Sequence, residues 1–127
     1  WDQINPVYFF QAQPTNHWKD LLKNNHPHCM PIWKRNLHDE HGFFDEKYLT
    51  AADSDMWIRA MRKGAKLFFV DETVGVYYKN PEGISTDLKN LRKMLQEVNA
   101  MRRSHDPEYV DPPLPHALLE YEKENEL

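Results

Sequence analysis

Only two stretches of this 127-residue chain, residues 51–63 and 86–103, carry apolar side chains at sustained helical spacing. In the first, Leu49, Ala52, Met56 and Ala60 share a stripe, with Trp57 and Met61 beside it. Thr50 stands where an N-cap belongs, and Asp53 follows three residues later as a shorter-armed relative of the capping box. Arg59, Arg62 and Lys63 crowd the last turn, where the helix dipole favours cations, and Gly64 stops it. In the second stretch Leu88, Leu91, Leu95 and Val98 fall on one face. Any fold must bury both faces with little aliphatic material. Leu, Ile, Val and Phe total 28 of 127 residues, close to the ~20% below which disorder becomes the default. Sixteen aromatics, four of them Trp, offset the shortage, because each buries ~150–250 Å². One domain with a modest core is expected.

The rest of the chain reads as shorter pieces. Residues 1–13 are apolar and aromatic without a period, as in a segment that packs against a neighbour. Pro14 and Thr15 open a short helix, with Trp18, Leu21 and Leu22 on one face and Asn24-Asn25 ending it. Residues 28–33 are extended, and Pro31 makes the stretch an edge or irregular one. Residues 34–41 form one or two helical turns, with Gly42 as left-handed cap. The β-rich runs 66–70 and 74–79, joined by Asp71-Glu72-Thr73, predict a strand pair. Residues 80–85 are a loop. Four prolines make residues 104–115 an extended strap, and 116–126 a short terminal helix. The predicted class is α+β, mainly helical, with a small antiparallel strand pair. Residues 1–105 form the domain, and 106–127 a Pro-rich strap and acidic tail. The chain opens on Trp1, as expected of a piece of a longer protein.

Charge and cysteine narrow the function classes. Residues 106–127 hold seven acids and one base, whereas residues 1–105 hold thirteen acids and fifteen bases. A near-neutral body with an acidic, solvated tail argues against nucleic-acid binding, which calls for a basic face. Cys29 is alone, so no internal disulfide forms, which fits a reducing compartment. No apolar run approaches the ~18 residues that span a bilayer.

Few residues carry chemistry on spacing alone. Asp53 and Asp55 sit in the first turn of the best helix, where carboxylates favour the dipole and cap free N–H groups. The functional alternative turns one carboxylate into a cleft as general base. His26, His28 and Cys29 lie close in sequence, as do His38 and His41, yet neither set has zinc-ligand spacing. His38 and His41 are better placed to cap a short helix. Trp33, Phe43, Phe44, Trp57, Tyr77 and Tyr78 could stack on a sugar or a base, or simply pack in the core.

Taken together, three blocks within residues 30–86 resemble the acceptor side of family-2 glycosyltransferases, the nucleotide-sugar enzymes of GT-A fold. Lys34-Arg35 precedes Gly42-Phe43-Phe44-Asp45-Glu46, matching the family's basic pair and Gly-x-Phe-Asp-Glu. Ala52-Asp53-Ser54-Asp55-Met56-Trp57-Ile58-Arg59 matches Glu-Asp-x-Asp-Leu-Trp-Leu-Arg, with Ala52 in place of Glu. Gly64, two β-rich runs, Tyr78-Lys79 for the family's Tyr-Arg, and a loop to Ser85 follow in order. Asn80 stands where some relatives carry a metal-binding His.

The resemblance implies the C-terminal part of an inverting transferase that moves a sugar from a nucleotide donor to a hydroxyl acceptor. Its general base falls on Asp53. The substrate contacts it implies are Asp55, Trp33, Trp57, Tyr78 and Lys79. A divalent cation, Mn or Mg, is implied in the full-length parent, on an Asp-x-Asp element of a nucleotide-binding half that this sequence lacks. No metal site is expected in the piece itself, which should be inactive and could self-associate through its aromatic start. The implied location is cytoplasmic, free or at the inner face of the membrane. The competing reading is a non-catalytic interaction module on a degenerate scaffold. A stand-alone metal-binding domain using His26, His28 and Cys29 is a third.

Overall fold

The computed structural model describes residues 14–28, 30–73, 75, 77, 80–125 and 127. The expectation for residues 1–13 lies outside them. A short 3-10 helix spans Trp18–Leu22, followed by α1 (Asn36–His41), α2 (Ala52–Arg62), α3 (Leu88–His105) and α4 (His116–Glu124). The 3-10 helix starts on a side-chain exchange. Lys19 N donates to His17 Nδ1 at 3.2 Å, and Asp20 Oδ2 accepts from His17 N at 3.1 Å. Helix α1 ends at Gly42, whose positive φ of 83° relieves the Cβ clash a larger residue would suffer.

Helix α2 is the hub, packing against the 3-10 helix, α1 and α3. Met56 and Ile58 are fully buried, and Leu21, Leu22, Ala51, Trp57 and Met101 complete the core. Trp18, Leu37, Tyr48, Met61, Leu67, Val98 and Tyr109 pack on its edge. The burial of Asp55 through Ile58 in succession means α2 is enclosed on more than one side, beyond the single stripe its sequence shows. Leu49, expected on that stripe, is exposed instead.

The start of α2 is held from outside. Ala51 occupies the cap position and makes no side-chain cap bond. The expected cap, Thr50, points its hydroxyl at Glu97 of α3, 2.8 Å away. The same Glu97 oxygen, Oε1, accepts from Thr50 N at 2.6 Å and Ala51 N at 2.8 Å, while Oε2 accepts from Leu49 N at 2.9 Å. One carboxylate thus gathers four donors and sets a negative charge where the helix dipole favours it.

The strand pair is not formed: among the described residues no strand and no sheet exist, and the fold is helical throughout. Residues 65–70 form neither helix nor turn, and their burial alternates residue by residue as in a strand. Among the described residues, no backbone hydrogen bond joins residues 66–70 to another segment. The aromatic and β-branched residues favour an extended backbone, but a strand is completed only by a neighbour's ladder.

The acidic tail is less solvated than its charge predicts. Leu118 of α4 is fully buried, and Arg92 of α3 grips Glu122, with Nη2 to Oε2 at 2.6 Å. The proline strap is tied at Asp106 by Lys19 at 2.9 Å and at Tyr109 by Arg102, 3.0 Å from the phenol oxygen. No helix among the described residues is long and apolar enough to cross a membrane.

Replacing Glu97 with Ala should cost about 2–3 kcal/mol, because the backbone N–H groups at residues 49–51 lose a charged acceptor. Burial alone would raise the Glu97 carboxyl, but the bonds from residues 49–51 outweigh it and hold it below its ordinary value of 4.5. The native state therefore binds this proton less readily than the unfolded chain. Its contribution is present above about pH 4.5 and lost as pH falls through the lower native value. Urea unfolding across that range should show a shallower acid dependence in Glu97→Gln than in the parent chain.

Candidate functional site

Asp53 sits in the first turn of α2, half-buried. Each of its oxygens has one donor: Ser54 N lies 2.7 Å from Oδ1, and Asn25 Nδ2 lies 2.6 Å from Oδ2. Asn25 follows the 3-10 helix and opens a turn closed by His28 N to Asn25 O at 3.2 Å. That turn carries His28, in a left-handed conformation at φ 50°, into the field of the same carboxylate. The His28 ring also meets Tyr77 edge-on, with centroids 5.5 Å apart. Burial lowers the His28 pKa, and the Asp53 charge only partly restores it.

Asp55 is placed differently. It is buried, with Oδ2 accepting from Arg59 Nε at 2.7 Å and Oδ1 2.8 Å from His105 Nε2 at the end of α3. Burial works to raise its carboxyl, and these two partners overcome it, leaving Asp55 below the usual carboxylate range. Both oxygens are engaged within the protein, so the side chain links helices rather than facing a ligand.

Arg59 carries that link to the loop after α1. Its remaining nitrogens donate to His41 O and, at 2.6 Å, to Phe43 O. A Cβ at Gly42 would stand 3.2 Å from this guanidinium, a second reason for glycine in the Gly42-Phe43-Phe44 loop. The loop presents an aromatic cluster. Trp33 meets Trp57 edge-on at 5.0 Å and Phe44 at 6.3 Å, and His38 stacks on Phe43 at 4.8 Å and 3°. Trp57 is buried beneath, while Trp33, Phe43 and Phe44 are exposed. Trp33 Nε1 is a donor only, so His38 Nε2, 3.0 Å away, accepts, and His38 Nδ1–H donates to Gly42 O at 3.1 Å. Asp53 and Trp57, four residues apart, lie on adjoining turns of one face of α2.

The structure thus brings Asp53 onto the same helix face as Trp57 and joins Trp57 to Trp33, but separates Asp55 into an internal ion pair. Tyr78, Lys79 and Cys29 lie outside the described residues. Of the histidines considered for metal, His26 Nδ1 pairs with Thr15 Oγ1 at 2.6 Å, and His38 and His41 point to different partners. Among the described residues no three His, Cys, Asp or Glu side chains converge as cation ligands. A cavity of about 130 Å³ opens elsewhere, between residues 49–50 and α3, lined by Ile84, Asn90, Lys93, Met94 and Glu97 among others.

Local sequence marks Asn25 only as a helix terminator and Arg59 only as a partner of the helix dipole, and it gives Glu97 no role. Their contacts span 28, 16 and 18, and 46 to 48 residues, distances at which local spacing carries no signal. No protein-family model, curated protein or solved structure matches this chain.

Two outcomes follow from this geometry. Asp53→Asn removes the charge that partly restores the His28 pKa, so His28 should titrate lower still, read from its ring Cε1–H in NMR. Asp55→Ala leaves His105 and Arg59 without their buried partner and should lose about 3–5 kcal/mol in denaturant unfolding.

Proposed function

We propose that this chain is the C-terminal, acceptor-side part of an inverting nucleotide-sugar glycosyltransferase, with Asp53 as general base. The observation that carries the reading is the Asp53 carboxylate: part-exposed at a helix start, each oxygen oriented by one donor, on the helix face of Trp57. It supports the resemblance of residues 30–86 without replacing it. In this reading Trp33, over Trp57, offers an aromatic face to the acceptor, and Tyr78 and Lys79 remain proposed substrate contacts.

The chemistry is one displacement. The acceptor hydroxyl donates its proton to Asp53 as its oxygen bonds to the anomeric carbon. The nucleoside diphosphate leaves from the opposite face with the electron pair of the broken C–O bond, so configuration inverts. Asp53 and Asp55 do not form a cation pair, since Asp55 is committed to Arg59 and His105. The described residues therefore do not fit the divalent cation, and the reading assigns Mn or Mg to the parent's nucleotide-binding half.

Further support comes from the surface. Ile32, Phe68 and Val70 are 99%, 86% and 62% exposed, as apolar residues covered by another lobe in the parent would be. The same exposure would let the isolated piece self-associate. The donor is a nucleotide sugar, the acceptor a hydroxyl compound, and the proposed place of action the cytoplasm, free or at the inner membrane face. The rival reading, a non-catalytic interaction module, draws on Ala52 and Lys79, where the family pattern has Glu and Arg.

Asp53→Asn is nearly isosteric. In the full-length protein it should lower turnover ~10²–10⁴-fold with the fold retained by circular dichroism. Turnover at the parent rate would remove Asp53 from the chemistry and favour the module.

A further inference from the structure

Resting on the reading of Asp53 as base, we propose that Asn25 is its positioning residue, fixing the plane and direction of the carboxylate from outside α2. Asn25 donates its Nδ2 to Asp53 Oδ2 at 2.6 Å across 28 residues of sequence. The direction of this bond is set by chemistry, because an ionised carboxylate only accepts. Ser54 N, 2.7 Å from Oδ1, belongs to the next residue of the same turn and follows any rotation of the helix start. Asn25 is the contact that ties the carboxylate to a different element, the turn after the 3-10 helix. With one donor on each oxygen, the group cannot spin about its Cβ–Cγ bond without breaking both.

A second observation sets Asn25 apart from a simple helix terminator. Its Oδ1 is buried and makes no hydrogen bond among the described residues. A buried acceptor left without a donor is destabilising, and proteins retain few such groups. Turning the amide over would not help, since it would set Oδ1 against the carboxylate. The orientation is thus held by Asp53 despite its cost. A base must keep its lone pair aimed at the incoming hydroxyl, and small misplacements of reacting groups cost large factors in rate. One neutral donor supplies that aim.

His28 reports on this arrangement without any substrate, since it shares the turn with Asn25 and senses the Asp53 charge. In Asn25→Ala the carboxylate is released, so the His28 titration should move in the same direction as in Asp53→Asn. In the double variant Asn25→Ala should add nothing further. An unchanged His28 in Asn25→Ala, or an equal extra shift in the double variant, would overturn the proposal. Should Asn25→Ala not fold, the Asn25 side-chain amide resonance in otherwise unaltered protein must move on Asp53→Asn, and a resonance that stays put overturns it equally. With the full-length protein and a panel of uridine- and guanosine-diphosphate sugars, Asn25→Ala should lower kcat ~10–100-fold with acceptor KM unchanged. Full activity in Asn25→Ala alongside a dead Asp53→Asn would sink the role of Asn25 alone, whereas full activity in both would sink the base assignment itself.

Discussion

The carboxylate of Glu97 organises this fold. It stands on α3 but serves α2, collecting four donors from residues 49–51 at the point where the chain turns into its central helix. Ala51 is completely buried, and Glu97 supplies the acceptor that its N–H requires. The interaction therefore fixes both the first residue of α2 and the distance between the two main helices. Asp55 returns the connection, reaching from α2 to His105 at the end of α3. Two carboxylates, one from each helix, hold the pair at separate places, and the core of Met56, Trp57, Ile58 and Met101 closes between them.

This arrangement gives α2 two roles that reinforce one another. Its buried side chains hold it rigid, and its first turn carries Asp53 at the surface. For the proposed role of Asp53 a rigid support matters, because the aim of its carboxylate then depends on packing rather than on its own side-chain freedom. Arg59 extends the same support to residues 41–43, which bear Phe43 stacked on His38. The internal ion pair and the surface aromatics are in this sense one construction: Asp55 orients Arg59, and Arg59 holds the loop.

Much of the helical content was legible locally. The stripe through Met56 and Ala60, the basic last turn and Gly64 locate α2 to within a residue at each end, and α3 follows from Leu88, Leu91, Leu95 and Val98. Gly42 announced the end of α1 because few other residues accept its positive φ. The strand pair was misread for a physical reason. Residues 66–70 have the composition and the alternating burial of a strand, but pairing depends on a neighbour that spacing along the chain does not supply. Thr50 was misread as a cap because its competitor for the same N–H groups lies 47 residues away.

The amino-acid sequence alone determined that helices run through residues 52–62 and 88–105, and roughly where they stop, since these are consequences of 3.6-residue geometry and local sterics. Tertiary structure decided which carboxylate does what. Asp53 and Asp55 are two residues apart and chemically identical, yet one meets Asn25 near the surface and the other is enclosed by Arg59 and His105. Burial and partners come from elements far off in the chain, and only folding brings them within hydrogen-bond reach.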